Sequence, residues 1–196
     1  MKEIFSNALT NSYSYKDYRK TIADLLIEGK ASGATQTEAL VNYSRLNETR
    51  MDRLDKTMVV DETITTKLIS IQSQYIWLVI AEGWCGDAAQ LLPIFNKMRE
   101  VSDQIDLKIV FRDENEALMN LFLTNGNKSI PKLIILDKNS LDVIADWGPR
   151  PKGAVELIQN YKEKFGVIDD TIKAELQMWY LHDKGLSTQK EIIELF

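Results

Sequence analysis

The stretch AEGWCGDAAQLLP, residues 81–93, places the only cysteine of the chain between two different sequence patterns. The run YIWLVIA, residues 75–81, is apolar at nearly every position, which is typical of a strand buried on both faces. Residues 88–101 follow the spacing of a helix. The sequence therefore predicts a buried strand that delivers Cys85 to the start of a helix.

Composition limits the classes of protein to which this chain can belong. The 196 residues are 44% hydrophobic, enough for a substantial core, and 24 basic against 29 acidic side chains give a net charge of -5. No long block of one charge suggests a nucleic-acid or anionic membrane surface. No segment has the apolar length of a signal peptide or a membrane span. We therefore expect a cytoplasmic protein with no nucleic-acid or membrane partner.

Helices are predicted before the buried strand. Apolar residues recur at helical spacing from Tyr18 to Leu26 and again from Leu40 to Met58, and a third helix is indicated from Ile64 to Ile71. Thr35 and Glu38 have the spacing of a capping box for the second of these helices. The basic residues of that helix are interpreted as its solvated face: Arg45, Arg50, Arg53 and Lys56.

Strands and helices alternate after Cys85. A strand is predicted in DLKIVF (106–111), a short helix over 114–123, and a hairpin from PKLIILD (131–137) and LDVIADW (141–147). Helices are predicted over 152–164 and from Ile172 to near Gly185, and Thr188 with Glu191 could cap a last turn. The pattern indicates an α/β protein with one βαβ unit followed by a β-hairpin.

The residues around Cys85 resemble the active site of the thioredoxin-like superfamily. Trp84, Cys85 and Gly86 match the first three positions of the family motif Trp-Cys-Gly-Pro-Cys, and Pro93 stands eight residues after the cysteine, where the family bends its active-site helix. The resemblance implies a thioredoxin-like fold, which is a central mixed sheet flanked by helices. It further implies that the thiol lies at a substrate groove.

Later landmarks extend this resemblance. Pro131, preceded by Ile130, stands where the family has a cis-proline beside the thiol, and Gly148 stands where a glycine borders the groove. The resemblance covers the predicted thioredoxin-like domain, residues 62–166. Residues 1–61 are then an N-terminal helical extension packed on the core, and residues 167–196 a C-terminal helical extension. The added helices and the WCGDAAQ sequence are similar to a bacterial branch of the superfamily.

Three departures from the family pattern bear on chemistry. Asp87 replaces the proline and Ala88 replaces the second cysteine, while Val79 stands where the family has a buried proton-carrying acid. A single thiol cannot resolve its own mixed disulfide and must await an outside thiol such as glutathione. We therefore expect monothiol exchange with protein or peptide thiols and disulfides. The alternative is a redox-inactive module that binds a partner protein or peptide.

Opposing charges are expected to set the reactivity of Cys85. A position at a helix N-terminus favours the thiolate and predicts a thiol pKa below about 8.5. Asp87 opposes this effect, or is simply a first-turn acid that stabilises the helix. Arg150 could reach the thiolate or a substrate carboxylate, or be a solvated loop residue. Cys85 itself could instead be a small buried apolar residue.

The predicted site combines these residues. Cys85 is the candidate catalytic residue, and the resemblance together with the charges assigns substrate binding to Trp84, Gly86, Asp87, Ile130, Pro131, Gly148 and Arg150. His182 is the only histidine, so the sequence does not indicate a histidine-rich metal site. Neither a cofactor nor a metal is expected.

Overall fold

The protein is described from a computed structural model that covers every residue, Met1–Phe196. Nine helices and four strands follow one another along the chain. In order they are α1 (Lys2–Thr10), α2 (Tyr15–Ile27), α3 (Glu38–Thr57), α4 (Glu62–Ile69), β1 (Tyr75–Ala81), α5 (Gly86–Val101), β2 (Ile105–Phe111), α6 (Glu116–Met119), β3 (Lys132–Asp137), β4 (Val143–Trp147), α7 (Lys152–Phe165), α8 (Asp170–Asp183) and α9 (Leu186–Ile193).

The four strands form one mixed sheet in the order β2-β1-β3-β4. β1 pairs with β2 in parallel and with β3 antiparallel, and β4 pairs antiparallel with β3. β1 is therefore an inner strand, and every one of its residues from Ile76 to Ala81 is buried. The predicted α/β class, with a central mixed sheet flanked by helices, is confirmed.

The helix that follows Cys85 is buried on nearly all sides. α5 packs against α3, α4 and α9 as well as the sheet, and most of its residues from Asp87 to Phe95 are buried. Pro93 lies inside this helix. Helices from both the N-terminal and the C-terminal part of the chain, α3 and α9, therefore cover the helix that starts at the cysteine.

The segment between α1 and α2 pairs with part of one edge of the sheet. The backbone of Tyr13 exchanges two hydrogen bonds with Ile109 of β2, at 2.8 and 2.9 Å. An edge strand with unpaired N–H and C=O groups is open to pairing with another chain. The Tyr13 bridge therefore occupies part of the outer edge of β2.

Several local predictions were wrong. The first helix, α1, was not predicted, and the cap of α3 is Thr37, whose side chain accepts a hydrogen bond from Leu40 N, instead of Thr35. Thr188 lies inside α9, which begins after Gly185, and therefore caps nothing. Short polar residues stand at several neighbouring positions, and the backbone conformation decides which of them is the cap.

None of the nine helices combines the length and apolar character needed to cross a lipid bilayer.

Candidate functional site

The turn between β1 and α5 is held by side chains of the N-terminal extension. Gly83 N donates to Ser32 Oγ at 2.9 Å, and Asn47 Nδ2 donates to Gly83 O at 2.9 Å. Gly83 also has no room for a Cβ atom, because the Ile22 side chain fills that space. The turn that presents Cys85 is therefore built jointly by the sheet and by residues of the first 61 positions.

Removing the Asn47 side chain should destabilise this turn. Asn47→Ala leaves the buried carbonyl of Gly83 without its donor, so we expect a loss of about 2 kcal/mol in the free energy of unfolding. Urea unfolding followed by circular dichroism measures the loss. Asn42→Ala on the exposed face of the same helix is the control, with an expected change within about 0.5 kcal/mol. Equal changes in the two variants would contradict the role given to Asn47.

A fully buried acid, Glu82, stands directly after β1. Its carboxylate accepts hydrogen bonds from Ser32 Oγ and from Asp113 N, the latter at 3.0 Å. Burial is the main cause that raises the pKa of Glu82, and the nearby Asp113 carboxylate adds to the rise. The prediction assigned no role to this residue, although an acid at the end of an apolar strand could have signalled it. Val79, at the position of the family's acid, is buried and apolar.

Glu82 should make stability depend on pH in a defined direction. Its pKa is higher in the folded than in the unfolded state, so its contribution is greatest at low pH and declines as pH rises from about 4.3 through the raised pKa. Glu82→Gln should therefore cost less stability at pH 7 than at pH 4. Urea unfolding across that range measures the difference. Equal costs at the two pH values would contradict the raised pKa of Glu82.

Cys85 is the N-cap residue of α5 and is buried, with 8% of its surface exposed. Its thiol donates to Ile130 O at 3.4 Å, and Ala88 N donates to Sγ at 3.5 Å. Burial and the Asp87 carboxylate raise the Cys85 pKa to about 12, despite backbone hydrogen bonds and Arg150, which lower it. The predicted pKa below that of a free thiol is wrong, because desolvation outweighs the effect of the helix N-terminus.

Asp87 is buried and joins two elements that follow the hairpin. Arg150 Nη2 lies 2.7 Å from Asp87 Oδ2, and the hydroxyl of Tyr180 in α8 donates to Asp87 Oδ1 at 2.8 Å. The primary partner of Arg150 is thus the carboxylate and not the Cys85 sulfur. Asp87 does oppose the thiolate, as predicted, and it also anchors the C-terminal extension to the start of α5.

The structure brings the other predicted groove residues together at the thiol. The Ile130–Pro131 and Gly148–Pro149 peptide bonds are cis. Gly148 has a φ of +119° and its Cα faces Pro131 O so closely that a Cβ atom would collide with that oxygen. Ile130 N has no hydrogen-bond acceptor within the protein. Cys85, Ile130, Pro131 and Gly148 therefore lie together, with Gly148 partly exposed and the other three buried.

Trp84 directly precedes Cys85, and its ring is in contact with Arg112. The guanidinium of Arg112 stands over the indole ring at 4.9 Å, and Arg112 is in turn paired with Asp113. Such a cation–π contact orients the ring. Trp84 is half-buried, so one part of its surface stays available beside the turn.

Comparison with known proteins places this site in a family. A family model described as thioredoxin matches residues 33–162, about two-thirds of the 196 residues. The chain belongs to the thioredoxin family. This match begins at Gly33, within the segment predicted as the N-terminal extension. It therefore includes Asn47 but not Ser32. No protein of curated function matches the chain in sequence.

Two solved structures share the thioredoxin-family fold over nearly the whole chain. A protein of unknown function from Pseudomonas aeruginosa has a TM-score of 0.65 and 13% identity, covering 97% of this chain and 95% of its own. An HIV epitope scaffold has a TM-score of 0.57 and 18% identity, covering 93% and 97%. At these identities the similarity concerns the fold alone.

Helices α3 and α8 bring residues to this site that were not predicted from the sequence. Arg50 of α3, interpreted above as part of a solvated face, has its Nη1 only 3.5 Å from the place where a Cβ of Gly86 would lie. Gln177 of α8 lies at 3.9 Å from the same place and accepts a hydrogen bond from Gln90. No sequence pattern distinguished these two residues. No group of three or more His, Cys, Asp or Glu side chains is arranged to hold a metal ion.

Proposed function

We propose that this thioredoxin-family protein binds an extended peptide segment of a partner protein across Cys85, Ile130 and Gly148 without thiol–disulfide turnover. One observation carries the proposal: the only thiol of the chain is buried beside a carboxylate, and its pKa is raised to about 12. At pH 7 a thiol of that pKa is almost entirely protonated. Since the thiolate is the nucleophile, Cys85 is a poor one.

The absence of a resolving thiol supports the same proposal. Ala88 is buried in the first turn of α5, where a second cysteine would be needed to release a mixed disulfide. The hydrogen bond from the Cys85 thiol to Ile130 O gives the sulfur a structural role as a donor within the groove. A protonated thiol suits this role, because a thiolate cannot donate.

Peptide binding is supported by the backbone at Ile130. Its N–H has no acceptor in the protein, and it stands two residues before the start of β3, next to the Cys85 thiol. An extended chain can satisfy such a group by pairing with it as a strand would.

A second candidate, monothiol exchange with a protein or peptide disulfide or with glutathione, is favoured by a different observation. Backbone N–H groups of Asp87 and Ala88 face the sulfur, and these groups and the nearby Arg150 lower the Cys85 pKa. A partner that separated Asp87 from the thiol would allow these groups to stabilise a thiolate. Cys85 would then form a mixed disulfide and depend on an external thiol for release.

A pair of matched peptides distinguishes the two candidates. One is an extended peptide whose cysteine carries a disulfide to a small thiol, and the other has serine at that position. The binding proposal predicts that both shift the amide NMR signals around Ile130 at similar concentrations and that neither adds mass to the protein. Stoichiometric mass addition by the disulfide peptide, absent in Cys85→Ser, would overturn the proposal and favour monothiol exchange.

A further inference from the structure

Arg50 is a cation without an acidic partner at the edge of the groove. It is half-buried in α3, donates only to Asn47 Oδ1, at 2.8 Å, and has no carboxylate within 4.0 Å. Burial lowers its pKa, although Asp87 opposes that effect. A guanidinium that is partly removed from water and only partly hydrogen-bonded retains donors for an external acceptor.

Arg150 is paired with Asp87, the residue after Gly86, and carries a donor that the protein does not use. Its Nη2 is paired with Asp87, but its Nε is buried and has no acceptor. Buried donors are normally hydrogen-bonded, so an orphaned one requires an explanation. Two guanidinium groups against the single carboxylate of Asp87, with Cys85 protonated, leave one positive charge in excess.

We infer that Arg50 and Arg150 bind a carboxylate of the peptide that occupies the groove, over the bare backbone of Gly86. The inference rests on the proposed peptide binding and specifies the chemistry of the segment that is bound. Guanidinium groups present paired donors that match a carboxylate. A singly charged anion balances the excess charge, whereas a phosphate dianion would leave uncompensated repulsion from the buried Asp87.

The position of Gly86 makes this contact geometrically accessible. A Cβ at residue 86 would point toward Arg50 Nη1, so the missing side chain leaves the space in front of that nitrogen open. Gly86 is also the first residue of α5, where the positive end of a 16-residue helix adds to the attraction for an anion. The helix N-terminus and the two arginines therefore all attract an anion to this position.

Three peptides of one extended sequence test the inference and separate the two sources of a carboxylate. The first ends in a free carboxylate, the second in an amide, and the third in an amide but carries an internal aspartate. Calorimetry gives their affinities, and the amide NMR signal of Gly86 reports the site. We expect at least one carboxylate peptide to bind about tenfold or more tightly than the neutral amide, as a charge-assisted hydrogen bond allows.

Variants of α3 decide whether Arg50 is responsible. Arg50→Gln should reduce that ratio severalfold, with a remainder from Arg150 and the helix end. Arg50→Lys, which keeps the charge without the forked donors, should leave an intermediate ratio. Arg45→Gln, at an exposed position of the same helix, should leave it unchanged. A ratio that is unchanged in Arg50→Gln, or three peptides that bind equally to the parent protein, would overturn the inference alone. Absence of binding by all three would overturn the proposed function together with it.

Discussion

Asp87→Ala should lower the free energy of unfolding by about 3–4 kcal/mol, because it removes one partner of a largely buried ion pair. Arg150 would lose the carboxylate 2.7 Å from its Nη2, and the buried hydroxyl of Tyr180 would lose its acceptor. The contact between α5 and the C-terminal extension would weaken in the same step. Urea unfolding followed by tryptophan fluorescence measures the loss.

A double variant separates the ion pair from other effects of this substitution. Arg150→Met in the Asp87→Ala background removes the stranded cation, so the double variant should be more stable than Asp87→Ala alone. Tyr180→Phe is the smaller matched change and should cost about 1.5–2 kcal/mol through one hydrogen bond to a charged group. A double variant that is no more stable than Asp87→Ala would contradict the assigned pairing.

Gly148→Ala should be about as damaging, with an expected loss of about 3 kcal/mol or more. The backbone at Gly148 has a φ of +119°, which side-chain-bearing residues rarely adopt, and an added Cβ would collide with Pro131 O. Because that oxygen belongs to the backbone beside Ile130, relief of the collision requires the groove itself to shift. Thermal unfolding and urea unfolding of the variant both report the loss.

Gly166→Ala is the matched control for backbone conformation alone. Gly166 ends α7 with a φ of +74° and has no atom within 4 Å of the place that a Cβ would take. Its substitution should cost only about 1–2 kcal/mol. If both glycine variants lost the same stability, the close approach of Gly148 to Pro131 would not be the cause.

The sequence predicted the sheet because its strands are set by local patterns. The apolar run of β1 and the hairpin of β3 and β4 were both found, and β1 was found with its observed boundaries, Tyr75–Ala81. A strand that is buried on both faces has a nearly continuous apolar sequence, and this pattern makes such a strand easy to recognise. Helix caps were less predictable: Thr35 and Thr37 are chemically alike, and only the fold selects Thr37.

Only part of the candidate site could be predicted, because some of its residues lie far apart in the sequence. Cys85, Ile130, Pro131 and Gly148 stand at positions that a family motif fixes, and the structure brings them together. Asn47, Arg50 and Tyr180 reach the turn from helices far away in the chain, and no local spacing announces such contacts. These helices help to bury Cys85, and burial raises the pKa of its thiol. A prediction based on the helix N-terminus alone therefore gave a lowered pKa, which is the wrong direction.

The most direct test of the account is the pH dependence of iodoacetamide labelling of Cys85 in the folded protein, followed by mass spectrometry. Unfolded protein in urea provides the reference, with an expected thiol pKa of about 8.5. We expect the folded protein to be labelled far more slowly, with a rate that still rises with pH well above 8.5 and reaches no plateau, because the Cys85 pKa is raised to about 12. A rate that reaches its plateau below pH 8.5 would mean that Cys85 is an activated thiolate and would contradict the account.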